Sequence, residues 1–187
     1  MSTLDAIKVA AVMLHAMNSF ASEQASIASN PNIIFVLVDD WGINDVAWTQ
    51  EWDNTDVQTP FLSDLATTES VILSNYYVER VCTASRASFL TGRYPSRLGL
   101  QAGVLHQNQP FGLTRQVSML SNEFQYHGYT THIIGKWHLG YQAYEYTPVY
   151  RGFDSFYGFY NGGADYYTHQ SSIHYDGDTT PPILATD

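Results

Sequence analysis

Three short strings hold the residue types that can do chemistry. Cys82, the only cysteine in the chain, opens Cys82-Thr83-Ala84-Ser85-Arg86, and Leu90-Thr91-Gly92-Arg93 follows closely. A lone thiol makes no internal disulfide. Cys82 and Arg86 are four apart, so on a helix they share one face, and a helix N-terminus adds exposed N–H groups and a positive field. Such a site attracts anions. A free cysteine is commonly a small buried apolar side chain, but Ser85, Arg86 and the Thr91-Gly92-Arg93 tail argue for chemistry here. A phosphatase loop is excluded, because it needs five residues between cysteine and arginine to wrap a phosphate and only three intervene.

Asp39 and Asp40 end the apolar run 32–38. An Asp after a strand often caps a turn, yet two adjacent carboxylates also suit a hard divalent cation and would fill part of the shell of six to eight oxygens that calcium takes. The third string is Gly135-Lys136-Trp137-His138-Leu139-Gly140. In an extended chain Lys136 and His138 point the same way, which would turn a compact cation and an imidazole toward one pocket. Alone, such a pair is an ordinary solvated strand end.

The elements that must position these strings follow from pattern. Residues 32–38 form a continuous β-prone run after Pro31, as in a strand buried on both faces of a parallel sheet. This is the expected first core strand, with Asp39 and Asp40 at its carboxyl end, where open α/β sheets place ligands. Thr59 as N-cap and Pro60 at the first helical position predict a helix toward Glu69, with Phe61, Leu62, Leu65 and Ala66 along one face. Residues 71–77 predict a second strand, and 83–90 a helix with Cys82 at its N-terminus. A further helix over 118–127, stopped by Gly128, leads to a strand over 129–134. Strand, helix, strand recurs, which predicts an α/β layered fold with a mainly parallel sheet flanked by helices.

With 187 residues and 44% apolar composition the chain suits one globular domain. Eight basic residues against 18 acidic ones give a net charge of −10, which disfavours a nucleic-acid partner. No apolar run approaches the ~20 residues of a spanning helix, so no transmembrane segment is expected. Residues 1–25 read as a signal peptide or a disordered arm, 31–170 as the catalytic region and 171–187 as an irregular tail. A signal peptide would make the chain an exported one, secreted or lysosomal.

The strings together resemble the type I sulfatases, whose signature runs Cys-x-Pro/Ala-Ser-Arg with a Leu-Thr-Gly-Arg tail. Ala84 stands where proline is commonest, a choice the broader pattern accepts. Gly135-Lys136-Trp137-His138-Leu139-Gly140 is similar to the second sulfatase signature. The likeness continues through Gly99-Leu100-Gln101, Gly128-Tyr129-Thr130-Thr131-His132 and Arg151-Gly152-Phe153-Asp154 to Asp165-Tyr166-Tyr167-Thr168-His169. These strings look most like the arylsulfatase B branch, the N-acetylgalactosamine 4-sulfatases.

The resemblance implies an incomplete alkaline-phosphatase-like fold and a sulfuric ester hydrolase acting on an aryl sulfate or a sulfated sugar. It implies that a formylglycine-generating enzyme converts Cys82 to formylglycine. One calcium ion would then be held by Asp39, Asp40 and modified Cys82. Arg86 would stabilise the nucleophile and the charge on sulfate, Lys136 would contact sulfate, and His138 would hydrogen-bond the formylglycine hydroxyl. The family's later acidic/amide pair, second lysine and leaving-group histidine have no counterpart here, and His169 and His174 do not replace them. A catalytically silent sulfatase-like chain is the alternative, and a phosphate or phosphonate esterase of the wider superfamily the less favoured one.

Overall fold

The computed structural model describes residues 30–49, 57–107, 109–165, 167–168 and 184–186. They belong to two compact units, divided between Val78 and Glu79, where the composition suggested one domain. The segment 1–25 lies outside the described residues.

In the first unit, two short 3-10 turns, Ile43–Asp45 and Ala47–Thr49, precede helix α1, Pro60–Asp64. Proline starts α1 because its missing N–H is one the first turn would leave unpaired anyway. Thr59 does not cap with its side chain. Its hydroxyl instead accepts the Ala47 N–H at 3.0 Å, tying the helix start to the preceding turn. From Leu65 to Glu69 the coil widens into a π turn. The cause is local: Thr67, Thr68 and Ser70 hydroxyls donate to the carbonyls of Ser63, Asp64 and Ala66 at 2.8, 2.7 and 3.0 Å, competing with the backbone ladder. Of the predicted apolar face only Ala66 is buried, and Phe61 is exposed.

The two strands expected in this unit are not strands. Residues 32–38 and 71–77 run irregularly, outside the sheet formed by the described residues. Most of their apolar side chains stand in the open, Ile34 62% and Val71 79% exposed, while Leu37 and Val38 are half-buried. β-propensity expresses a fit to neighbouring strands and a half-buried surface, and without that surface the run has no ladder to join.

The second unit begins at Glu79 and holds the core. Helix α2, Cys82–Thr91, ends where Gly92 turns to φ +65 and its N–H meets the Ser88 carbonyl at 2.8 Å. That left-handed turn is cheap for glycine alone. Ala87 on α2 packs with Leu98, Leu100, Leu105, Leu113, Met119, Trp137, Leu139 and Phe156. Each large member stabilises the unit by about 1.5–3 kcal/mol of apolar burial. Helix α3, Leu120–Tyr126, starts where Asn122 Oδ1 accepts the Met119 N–H and stops at Gly128, as expected.

Strand β1, His132–Lys136, then pairs parallel with β2, Ser155–Phe159, His132 opposite Ser155 and Lys136 opposite Phe159. Strand β3, Leu184–Thr186, adds antiparallel to β2 within the segment read as an irregular tail. The sheet is therefore mixed, in the order β1-β2-β3. Asp154 pins the start of β2: its carboxylate accepts the Thr131 N–H at 2.7 Å and the Gln125 amide at 2.9 Å. Arg151, 5% exposed, donates to the carbonyls of Leu113, Thr114 and Val117.

Candidate active site

Cys82 is the first residue of α2 and is half-buried. Ser85 in the same turn donates to the Glu79 carbonyl at 2.6 Å, which fixes the approach of the chain to the helix. One turn on from Cys82, Arg86 donates through Nη1 to the backbone carbonyl of Lys136. Lys136 closes β1, so this bond joins the cysteine string to the Lys-x-His string, 50 residues apart in sequence. A guanidinium bound to a carbonyl keeps its charge and gains a fixed direction.

Beyond β1 the pairing with β2 continues, Trp137 and His138 N–H groups meeting the carbonyls of Phe159 and Tyr160 at 3.0 Å each. At His138, however, φ is +59. The extended alternation predicted to point Lys136 and His138 the same way is broken there. Lys136 stays half-buried, while His138 is turned inward and is 5% exposed. Its Nε2 lies 2.8 Å from the Leu105 carbonyl, and its own carbonyl accepts the Thr83 hydroxyl at 3.1 Å. Gly162 lies against the ring: a Cβ there would sit 2.7 Å from His138 Cε1. The cavity on this face, bounded by Leu105, Tyr141, Tyr160 and Asn161, measures about 10 Å³. That is at the lower limit for one water.

Asp39 and Asp40 belong to the first unit, exposed on a bend after the apolar run. Asp40 has φ +58, which costs a non-glycine residue about 1–2 kcal/mol, less for Asp, whose short side chain bonds locally. Residue pattern alone singles out none of Thr83, Leu105 and Gly162. Thr83 is legible only as the variable position after Cys82, and Leu105 acts through its backbone, which no sequence pattern reports. The aromatics serve packing: Tyr141 stacks on Tyr160 at 5.6 Å and 8°, and Trp41 meets Trp48 edge-on at 6.5 Å. Burial pushes the Tyr141 hydroxyl pKa up, and that hydroxyl donates to the Gln107 carbonyl.

The profile of the family described as Sulfatase matches residues 31–185. Arylsulfatase J of Mus musculus is 43% identical over 141 residues, covering 75% of this chain and 23% of its own length. Steryl-sulfatase of Homo sapiens is 36% identical over 145 residues, covering 72% of this chain and 24% of its own. Among solved structures, Ps i-CgsB aligns with a TM-score of 0.55 at 30% identity, over 68% of this chain and 28% of that one. The chain spans about a quarter of the length of the curated relatives it matches. The layered α/β arrangement is that of the alkaline-phosphatase-like sulfatases, of which the chain holds a part. With the match running through both signature strings and most of the 187 residues, this chain belongs to the sulfatase family.

Proposed function

We propose that the chain carries the first part of the active site of a sulfate ester hydrolase, with Cys82, Arg86, Lys136 and His138 as its working residues. The observation that supports this most is the Arg86 bond to the Lys136 carbonyl, which gathers the cysteine and Lys-x-His strings of a sulfatase-family chain within one unit. Arg86 and Lys136 present two cationic side chains, a planar fork and a point charge, suited to the oxygens of an anionic ester. Their preorganised charges would stabilise the charge that grows on those oxygens in the transition state. His138 would orient the nucleophile.

Cys82 fits conversion to formylglycine by a formylglycine-generating enzyme, being half-buried at a helix start rather than sealed in the core. Formylglycine supplies an oxygen nucleophile that the thiol lacks. Asp39 and Asp40 suit calcium in donor chemistry, two exposed carboxylates of hard oxygen. A bound calcium ion supplies Lewis-acid polarisation.

The substrate class we assign is a sulfated N-acetylgalactosamine of a glycosaminoglycan. Support comes from the arylsulfatase-B-like strings from Gly99 to His169, and from Ps i-CgsB, which was solved in complex with k-i-k-neocarrahexaose, a saccharide by its name. The reading of residues 1–25 as a signal peptide supports a secreted or lysosomal chain.

Intact mass of the chain expressed with a formylglycine-generating enzyme tests the reading. Conversion lowers the mass of the Cys82 peptide by roughly 18 Da, one covalent change at one residue. Turnover of a chromogenic aryl sulfate with added calcium should accompany it. A Cys82 peptide that keeps its thiol mass, with no turnover, overturns the proposal in favour of a silent sulfatase-like chain.

A further inference from the structure

Behind Cys82 three hydrogen bonds close into a ring. Thr83, fully buried, donates from Oγ1 to the His138 carbonyl at 3.1 Å and accepts the Leu105 N–H at 3.0 Å. The Leu105 carbonyl lies 2.8 Å from His138 Nε2. Thr83 therefore holds His138 twice, directly at its backbone and indirectly at its ring, through the two polar groups of one peptide residue. A carbonyl oxygen only accepts, so Nε2 carries the proton; a neutral imidazole has one N–H, which leaves Nδ1 with its lone pair. Gly162 lies against the ring and leaves no room for a Cβ, which would meet Cε1 at 2.7 Å and Nε2 at 3.0 Å.

We propose that Thr83 is a positioning residue for His138, holding the imidazole in the Nε2–H tautomer and in register with Cys82, its neighbour on the first turn of α2. The proposal rests on the reading of His138 as an active-site residue. The physical case is that one hydroxyl satisfies a buried donor and a buried acceptor at once. Without it, the Leu105 N–H and the His138 carbonyl each lose a hydrogen bond that helps to aim them. Because Thr83 follows Cys82 directly, any shift of the helix start moves the clamp and the future nucleophile together. That keeps the distance between the two groups constant when the first turn breathes. Removing a group that orients another through a hydrogen bond lowers activity by about 10- to 100-fold in comparable supports of metal sites.

The test is long-range 1H–15N correlation of the His138 ring nitrogens in the full chain, alongside turnover of a chromogenic aryl sulfate. The wild-type ring should show one protonated and one unprotonated nitrogen, with the proton on Nε2. Thr83→Val keeps the shape and removes the hydroxyl. It should average the two nitrogen signals toward a tautomer mixture and lower kcat about tenfold with KM changed less than about twofold, the pattern of a lost transition-state interaction. Thr83→Ser, which restores the hydroxyl, should return both readouts to wild type. A Val variant with an unchanged ring signature, a Ser variant with a mixed one, or a wild-type ring protonated on Nδ1 each overturns the proposal. The wild-type and Ser spectra decide it even where Val does not fold. The ring signature needs no turnover, so it tests the role of Thr83 even in a chain without sulfatase activity, and absence of turnover counts against the functional reading alone.

Discussion

The Arg86 guanidinium donates through Nη1 to the Lys136 backbone carbonyl and so fastens α2 to the last residue of β1. The bond uses the head of a long side chain to fix a main-chain position, and it needs the reach and planarity of arginine. Replacing Arg86 by Lys keeps the charge and loses that geometry. We expect Arg86→Lys to lower unfolding stability by about 1 kcal/mol, the net worth of one partly screened charge-assisted bond. A urea midpoint equal to that of wild type would show that the bond contributes nothing.

Gly162 has no room for a side chain, because its Cβ would sit 2.7 Å from His138 Cε1 and 3.0 Å from Nε2. Gly162→Ala should push the ring off the Leu105 carbonyl at a cost of about 1–3 kcal/mol, the usual range for overpacking. Thermal unfolding reports the cost, and the His138 ring signals report the displacement. A variant as stable as wild type with unmoved signals contradicts this packing.

Arg151 is buried and its guanidinium serves three carbonyls, those of Leu113, Thr114 and Val117, at 2.8, 3.2 and 3.2 Å. Burial lowers its pKa most, Tyr146 pushes it back up, and the positive charge of Arg115 adds to the lowering. Arg151→Met retains the apolar stem and strands the carbonyls, so stability should fall by about 3 kcal/mol. Denaturant titration checks it, and a loss under about 1 kcal/mol would mean that water replaces the guanidinium without penalty.

Asp154 has its carboxyl pKa held below the ordinary 3.8, first by the backbone N–H of Thr131; desolvation pushes it back up, and the Thr131 hydroxyl, the Gln125 amide and the nearby His132 each add a smaller downward pull. A carboxylate depressed in the folded state contributes its full stabilisation above the unfolded value. It loses that contribution as pH falls through the folded one. The stability difference between wild type and Asp154→Asn should therefore be constant from pH 6 to about 5 and shrink below about pH 4. Urea midpoints measured across this range give the answer, and parallel curves down to about pH 2 would refute the assignment.

Much of the second unit is legible in the order of its residues. Ala, Ser and Leu after Cys82 make a helix, and the turn at Gly92 ends it. Gly128 stops α3 for the same backbone reason. These are local rules, enforced within one turn. The runs at 32–38 and 71–77 show the opposite case, since their composition is that of strands and the described chain leaves them irregular and mostly exposed. A strand is half of a ladder, and a ladder is not local.

Sequence by itself determined the chemistry on offer: a single thiol at a helix start with an arginine one turn on, two adjacent carboxylates, and a lysine and histidine at a strand end. Only the tertiary structure decided how they are held. It turned His138 inward at φ +59, set its ring against Leu105 and Gly162, and bound Arg86 to a carbonyl 50 residues away. Residue type limits which bonds a side chain is able to make. Which of them it does make depends on the backbone groups that folding brings within about 3 Å, and those carry no signature in the order of the residues.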